Sequence, residues 1–165
     1  MAYYISVVLP LDDVLSSMFL SRSCQGEIVV ETVFTKILDG SIPGVKIYED
    51  DLVFAFMDSG QVNPGHVLVA TTHPYETLMD TDEASAEALM RLTRRVARAV
   101  QDAFQPDGIT ILQANRPAGW QTVPHIHIHV LPRYENDDAG LIWPRKEPGL
   151  NAMKDYASRI NLSAF

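Results

Sequence analysis

Apolar positions along this chain recur with two different periods, and the change of period marks the elements. From Leu52 to Asp58 the period is two, with Leu52, Phe54 and Phe56 on one side and Val53, Ala55 and Met57 on the other, which predicts a strand. Val45–Glu49 predicts its partner, joined to it at Asp50–Asp51. His66–Ala70, Gly108–Asn115 and His125–Pro132 read as three further strands, the last two separated by a polar loop containing Gly119. The helical period appears first over Val33–Gly40, where Val33, Phe34 and Ile37 share a face and Gly40 acts as the stop. It returns after Asp80–Thr81–Asp82, an acidic cluster suited to capping a helix N-terminus, with Leu89, Leu92, Val96, Val100 and Phe104 in register. Arg91, Arg94, Arg95 and Arg98 crowd the opposite side, which reads as a solvated face rather than a phosphate or partner patch. Pro106–Asp107–Gly108 closes that helix, while Ser41–Gly44 and Asn63–Gly65 are turns.

A last helix is expected near Asn151–Ile160 in the tail. Residues 1–30 lack clean periodicity and are expected to form a peripheral extension, either flexible or docked as a strand. No internal repeat or domain boundary is visible. The order of short helix, strands, long helix and strands predicts an α+β domain with an antiparallel sheet.

Composition narrows the function classes. The 165 residues suffice for one domain with a sizeable core. With 13 basic and 21 acidic side chains the net charge is −8, which argues against broad contact with nucleic acid or an anionic membrane. A small phosphate ligand is still allowed, since a few local donors can hold it. Cys24 is the single cysteine, so a disulfide framework and a Cys-x-x-Cys metal site are excluded. No apolar run approaches the roughly 18 residues of a membrane span. The first twenty residues have no basic start and carry Asp12–Asp13, so a secretory signal is not expected and the chain is assigned to the cytoplasm.

Three of the five histidines fall within His125-Ile126-His127-Ile128-His129. Strand alternation puts His125, His127 and His129 on one face, about 6.5–7 Å apart in sequence, and Ile126, Ile128 and Val130 on the other, beneath the long helix. A one-residue slip would exchange the two faces and bury three imidazoles, so the apolar set pins the register. Three chemistries remain open at this point. The face could be an incidental surface. It could bind a metal, given a further ligand such as Asp58, His66 or His73. Or a histidine could attack phosphorus, with one ring nitrogen held as donor by a backbone carbonyl and the other lone pair free. The loop Asn115–Pro124 offers amides, a hydroxyl and a glycine for the charge of a phosphoryl transition state. No GxxxxGK[ST] loop exists, which removes a P-loop mechanism.

The run His-Ile-His-Ile-His-Val-Leu resembles the signature of the histidine-triad family. The likeness extends through FTKILDGSIP, VKIYEDDLVFAFMD, NPGHVLVATTHP and GWQTVPHIHIHVLPR, from about Val33 to about Pro144. It is similar above all to the small bacterial members related to nucleotide-binding phosphoramidases. The resemblance implies a HIT-like domain over 31–144, with an extension over 1–30 and a tail over 145–165. The fold implied is an antiparallel sheet of about five strands with one long and one short helix, dimerising into a continuous sheet. It implies a purine nucleotide or nucleotide conjugate as ligand and no cofactor.

On that resemblance His127 is the nucleophile that forms a nucleotidyl-histidine. His125 and His129 flank the phosphate, His129 assisting protonation of the leaving group. Gln121 and Thr122 stand beside the phosphate, Asn115 lines the phosphate and ribose region, and Asp58 accepts from the ribose hydroxyls. Phe34, Ile37 and Ile42 wall the base, with plain core as their competing role, and His66 sits behind the active strand as an orienting residue. The implied activity is cleavage at the α-phosphorus, of phosphoramidates first and dinucleoside polyphosphates second; the alternative is a non-catalytic nucleotide-binding adaptor. Some relatives bind zinc through two cysteines, a histidine like His73 and the first histidine of the triad. Here Thr32 and Thr35 stand at those cysteine positions, so no metal is expected. Trp120 is bulky for its position in the loop and is expected to narrow or cap the leaving-group side.

Overall fold

The computed structural model describes residues 19–22, 28–140 and 145–162. Strands β1 (Phe19–Arg22) and β2 (Ile28–Glu31) pair antiparallel, Phe19 opposite Glu31, into a two-stranded sheet of their own. Part of the expected extension is thus a paired element; its other positions lie outside the described residues.

Helix α1 (Val33–Leu38) follows at once, because Thr32 and Thr35 cap it reciprocally. The Thr32 hydroxyl accepts from the Thr35 amide at 3.2 Å, and the Thr35 hydroxyl accepts from the Thr32 amide at 2.8 Å. Strands β3 (Lys46–Glu49), β4 (Val53–Met57) and β5 (Val67–Thr71) come next. Helix α2 spans Glu83–Phe104 and is capped by Asp82, whose side chain accepts from the Ser85 amide at 2.9 Å. Strand β6 (Gly108–Gln113), a 3-10 turn (Pro117–Gly119), strand β7 (His127–Arg133) and helix α3 (Leu150–Ser158) complete the order. The five strands form one sheet in the order β3-β4-β5-β7-β6, every pair antiparallel. The expected α+β architecture, five-stranded with one long and one short helix over the sheet, is therefore what the chain adopts. No helix among the described residues is long and apolar enough to cross a membrane.

Alternation along each central strand splits the core into two layers. Val53, Ala55, Val67, Val69, Ile126, Ile128 and Val130 face α2, where Ala88, Leu89, Leu92, Val96 and Val100 close over them. Each large aliphatic side chain buried there contributes about 1.5–3 kcal/mol. The other layer packs Phe54, Phe56, Leu68 and Ala70 of the strands against Phe34 of α1. The arginines of α2 do lie on its exposed side, Arg95 resting over the Tyr48 ring at 4.6 Å. Phe104 departs from the expected buried row at 41% exposed. Its ring instead covers Gly65, where an added Cβ would meet Phe104 at 2.6 Å and where φ is +95°, so only glycine fits.

Two strand boundaries differ from expectation by two residues, for local reasons, and the others by no more than one. The histidine strand begins at His127 rather than His125, because the His125 amide donates back to the Val123 carbonyl and the Ile126 amide to the Tyr75 carbonyl. Strand β6 ends at Gln113, two residues early, since Asn115 spends its side chain on the Leu78 amide and on Gln113.

Candidate active site

Strand β7 lies between β5 and β6, so its histidines stand in the interior of the sheet. Ala70 is opposite His127 and Leu68 opposite His129 on β5. The small Ala70 leaves room for an imidazole, and α1 roofs the space. Phe34 meets the His127 ring edge-on at 5.0 Å and the His125 ring at 5.5 Å. The histidine face is consequently not the incidental surface that was one of three open readings: His125 is 0% and His127 4% exposed.

The three rings have different partners. His127 Nδ1 is 2.7 Å from the His125 carbonyl, which can only accept, so Nδ1 carries the proton and Nε2 keeps its lone pair. His125 is closed on both sides. Its Nε2 donates to the Thr71 carbonyl at 2.7 Å, and its Nδ1 accepts from the Thr32 hydroxyl at 2.8 Å. His129 Nδ1 lies 3.0 Å from His66 Nε2, the two rings tilted at 5.2 Å.

Burial governs the charge of all four rings. Desolvation pushes His125 down to about 4, against the carbonyl of Thr71, which pulls the other way; His127 and His73 add to the fall. Desolvation also lowers His127, opposed by its backbone bond and by Asp58. His129 falls to about 3, through burial first and then through His127 and His66. His66 is lowered by burial, with Asp58 and the Gly60 backbone opposing. Four neutral imidazoles therefore line this end of the sheet at neutral pH.

Beside them opens a pocket of about 620 Å³. Among the expected site residues His127, His129, Asp58, Thr122, Phe34, Ile37 and Ile42 line it. His125, His66, Gln121 and Asn115 do not reach its wall. Gln121 is 7% exposed and ties the loop to its surroundings, accepting from the Arg116 amide and donating to the Glu76 carbonyl at 2.6 Å. That loop is sharply turned: Arg116 and Trp120 both hold positive φ, +62° and +75°. Trp120 is 56% exposed and is not part of the pocket wall.

The sequence reading missed Pro43, Gly44, Val45, Phe56, Leu68 and Val123, which also form the wall. Phe56 was accessible in principle, since it shares the Phe54 face that alternation had identified; Leu68 needed the β5–β7 register. One further group stands out among the described residues. Asp58, His66 and His129 bring one oxygen and two nitrogens within 4.8 Å of one another, a set able to hold a metal ion.

The family model of the HIT domain matches residues 39–136. The protein named Protein hit of Bacillus subtilis is 38% identical over 112 residues, covering 67% of this chain and 77% of that protein. The purine nucleoside phosphoramidase of Escherichia coli is 35% identical over 102 residues, covering 61% of this chain and 86% of its own. The crystal structure of a HIT family protein from Bacillus anthracis superposes with a TM-score of 0.72 at 33% identity, covering 76% of this chain and 92% of that one.

Proposed function

The chain belongs to the HIT domain family, and on that premise we propose that it cleaves purine nucleotides at the α-phosphorus through a covalent nucleotidyl-histidine on His127. The observation that carries the reading is the His127 ring itself. Its Nδ1 proton is committed to the His125 carbonyl, so the remaining lone pair belongs to the ring edge available to the pocket. A buried, neutral, oriented imidazole is a competent nucleophile at neutral pH.

Nε2 attacks phosphorus in line and the leaving group departs with its bonding electron pair. For a phosphoramidate that group is an amine, which takes up a proton as the P–N bond breaks; His129 is the neighbouring ring able to pass one from solvent. Water then attacks the nucleotidyl-histidine, releasing a nucleoside monophosphate and restoring the neutral ring. Asp58, at the end of β4, accepts from the two ribose hydroxyls, while Phe34, Ile37 and Ile42 hold the base by apolar contact. His125, clamped by Thr32 and Thr71, presents its carbonyl to His127 and so acts as a positioning residue. Gln121 does the same for the loop, leaving Thr122 and backbone amides to meet the phosphate oxygens. No resident cofactor is invoked.

Phosphoramidates such as adenosine 5′-monophosphoramidate are the first substrate class, as the phosphoramidase relative supports, and dinucleoside polyphosphates the second. The working unit is a homodimer whose sheets join edge to edge; β3 and β6 are the two outer strands of the described sheet. We assign it to the cytoplasm. A panel of P–N and dinucleoside substrates, with mass spectrometry for an acid-labile adduct on His127, tests the reading. Turnover of a P–N substrate with a trapped adduct is expected. Nucleotide binding with neither turnover nor adduct would convert the protein to an adaptor.

A further inference from the structure

Asp58, His66 and His129 arrive from three places, the end of β4, the residue before β5 and the third position of β7. Their facing atoms form a small triangle. His66 Nε2 is 3.0 Å from His129 Nδ1 and 3.5 Å from Asp58 Oδ2, and His129 Nδ1 is 3.8 Å from the same oxygen. A single tetrahedral ion with bonds of about 2.0–2.1 Å separates its ligand atoms by roughly 3.3–3.4 Å, and the three edges bracket that value. Hydrogen bonding explains only the shortest edge. The carboxylate oxygen stands beyond ordinary hydrogen-bond range of both nitrogens while still facing them.

The ligand cradle is held before any ion arrives. Asp58 Oδ1 accepts from the Gly60 amide at 2.8 Å, which turns Oδ2 toward the two rings. Gln61 staples the loop that carries Asp58 and His66. Its amide nitrogen donates to the carbonyls of both, at 2.7 Å each, and its oxygen accepts from the Gly65 and His66 amides at 2.9 and 3.0 Å. His66 is 3% exposed, so packing holds its ring in place. Asp58 and His129 line the pocket, which leaves space for a fourth, exchangeable ligand.

We propose that Asp58 Oδ2, His66 Nε2 and His129 Nδ1 form a site for one divalent first-row transition ion of the zinc(II) or cobalt(II) kind. Two imidazoles and one carboxylate suit such ions better than calcium or magnesium, which want all-oxygen shells. The sequence expectation of no metal rested on the absent cysteines, and those concern a different ligand set. Occupancy takes Asp58 from the ribose and His129 from the leaving group, so metal and nucleotide exclude one another; this consequence rests on the functional reading above.

The test titrates the full, untagged, metal-free chain carrying Cys24→Ser with cobalt(II) alone, following visible absorption. One cobalt per chain is expected, with bands stronger than those of aqueous cobalt and a higher unfolding temperature. Asp58→Asn and His66→Gln should each weaken binding at least about tenfold, the lower end of what lost metal-shell contacts cost, and His73→Ala should leave it unchanged. An aqueous-like spectrum at saturation, or wild-type affinity in both site variants that fold, overturns the site. Adenosine monophosphate should raise the apparent cobalt dissociation constant; simultaneous binding of both at unchanged affinity overturns the exclusion. Cobalt binding is read without turnover, so an inactive protein that binds cobalt would sink the catalytic reading and leave the metal site standing.

Discussion

The two faces of the five-stranded sheet are built from the same strands and differ in what covers them. On one, the 22 residues of α2 lie across the sheet and close a mainly aliphatic layer, with Ser85 and Thr93 of the helix also buried. On the other, the six residues of α1 cover only part of the surface, and a pocket is left where the roof ends. From His125 to Val130 the contrast falls between neighbours: Ile126, Ile128 and Val130 belong to the closed face, His125, His127 and His129 to the other. The closed face fixes register, because any slip would drive imidazoles under α2. The open face uses that register to set ring tautomers. Stability and chemistry are thus separated by one residue step along a single strand.

That separation can be broken from either side. His127→Gly should lower turnover at least about a thousandfold, as loss of a nucleophile does, while nucleotide binding remains measurable by calorimetry. Wild-type turnover in this variant would remove His127 from the mechanism. Leu92→Ala, under α2, should do the reverse, costing about 2–5 kcal/mol in denaturant unfolding with kcat of the folded fraction nearly unchanged. Thr32→Val sits between the two. It strips the hydroxyl from His125 Nδ1 and from the cap of α1, for about 1–3 kcal/mol, and a larger fall in kcat than in binding would tie the clamp to positioning of His127.

Acid should find the histidine face first. His125 is held at about 4 in the folded chain against 6.5 ordinarily, so the unfolded chain binds its proton earlier as pH falls. Stability is therefore whole above pH 6.5 and drains between there and about 4, with His129 extending the loss toward 3. A melting temperature flat across that window would contradict the buried neutral rings. The smallest effect is expected at Trp120→Gly. Relief of the +75° backbone and loss of an exposed ring should change stability by no more than about 1 kcal/mol, with phosphoramidate turnover unaltered.

Most of the fold was legible because its signals are local. The periods of β4, α2 and β7, the Asp82 cap and the Gly40 stop depend on residues within a turn or two of one another. The same holds for the shared face of the triad, and the Nδ1 bond of His127 to the carbonyl two residues earlier follows from strand geometry nearby. What stayed hidden is long-range. No pattern in the chain reveals that Thr32, 93 positions away, closes on His125, or that Gln121 reaches back 45 residues to the Glu76 carbonyl.

The sequence by itself determined which side chains alternate, which cap and which register is affordable, because those follow from backbone geometry and the burial of apolar groups. Only the tertiary structure decided which polar atoms were consumed by distant partners and which were left over. His125, Gln121 and Asn115 were spent on the scaffold, and Asp58, His127 and His129 were left facing the pocket. A polar group must find a partner once it is buried, and the nearest partner in space is set by packing, not by spacing along the chain.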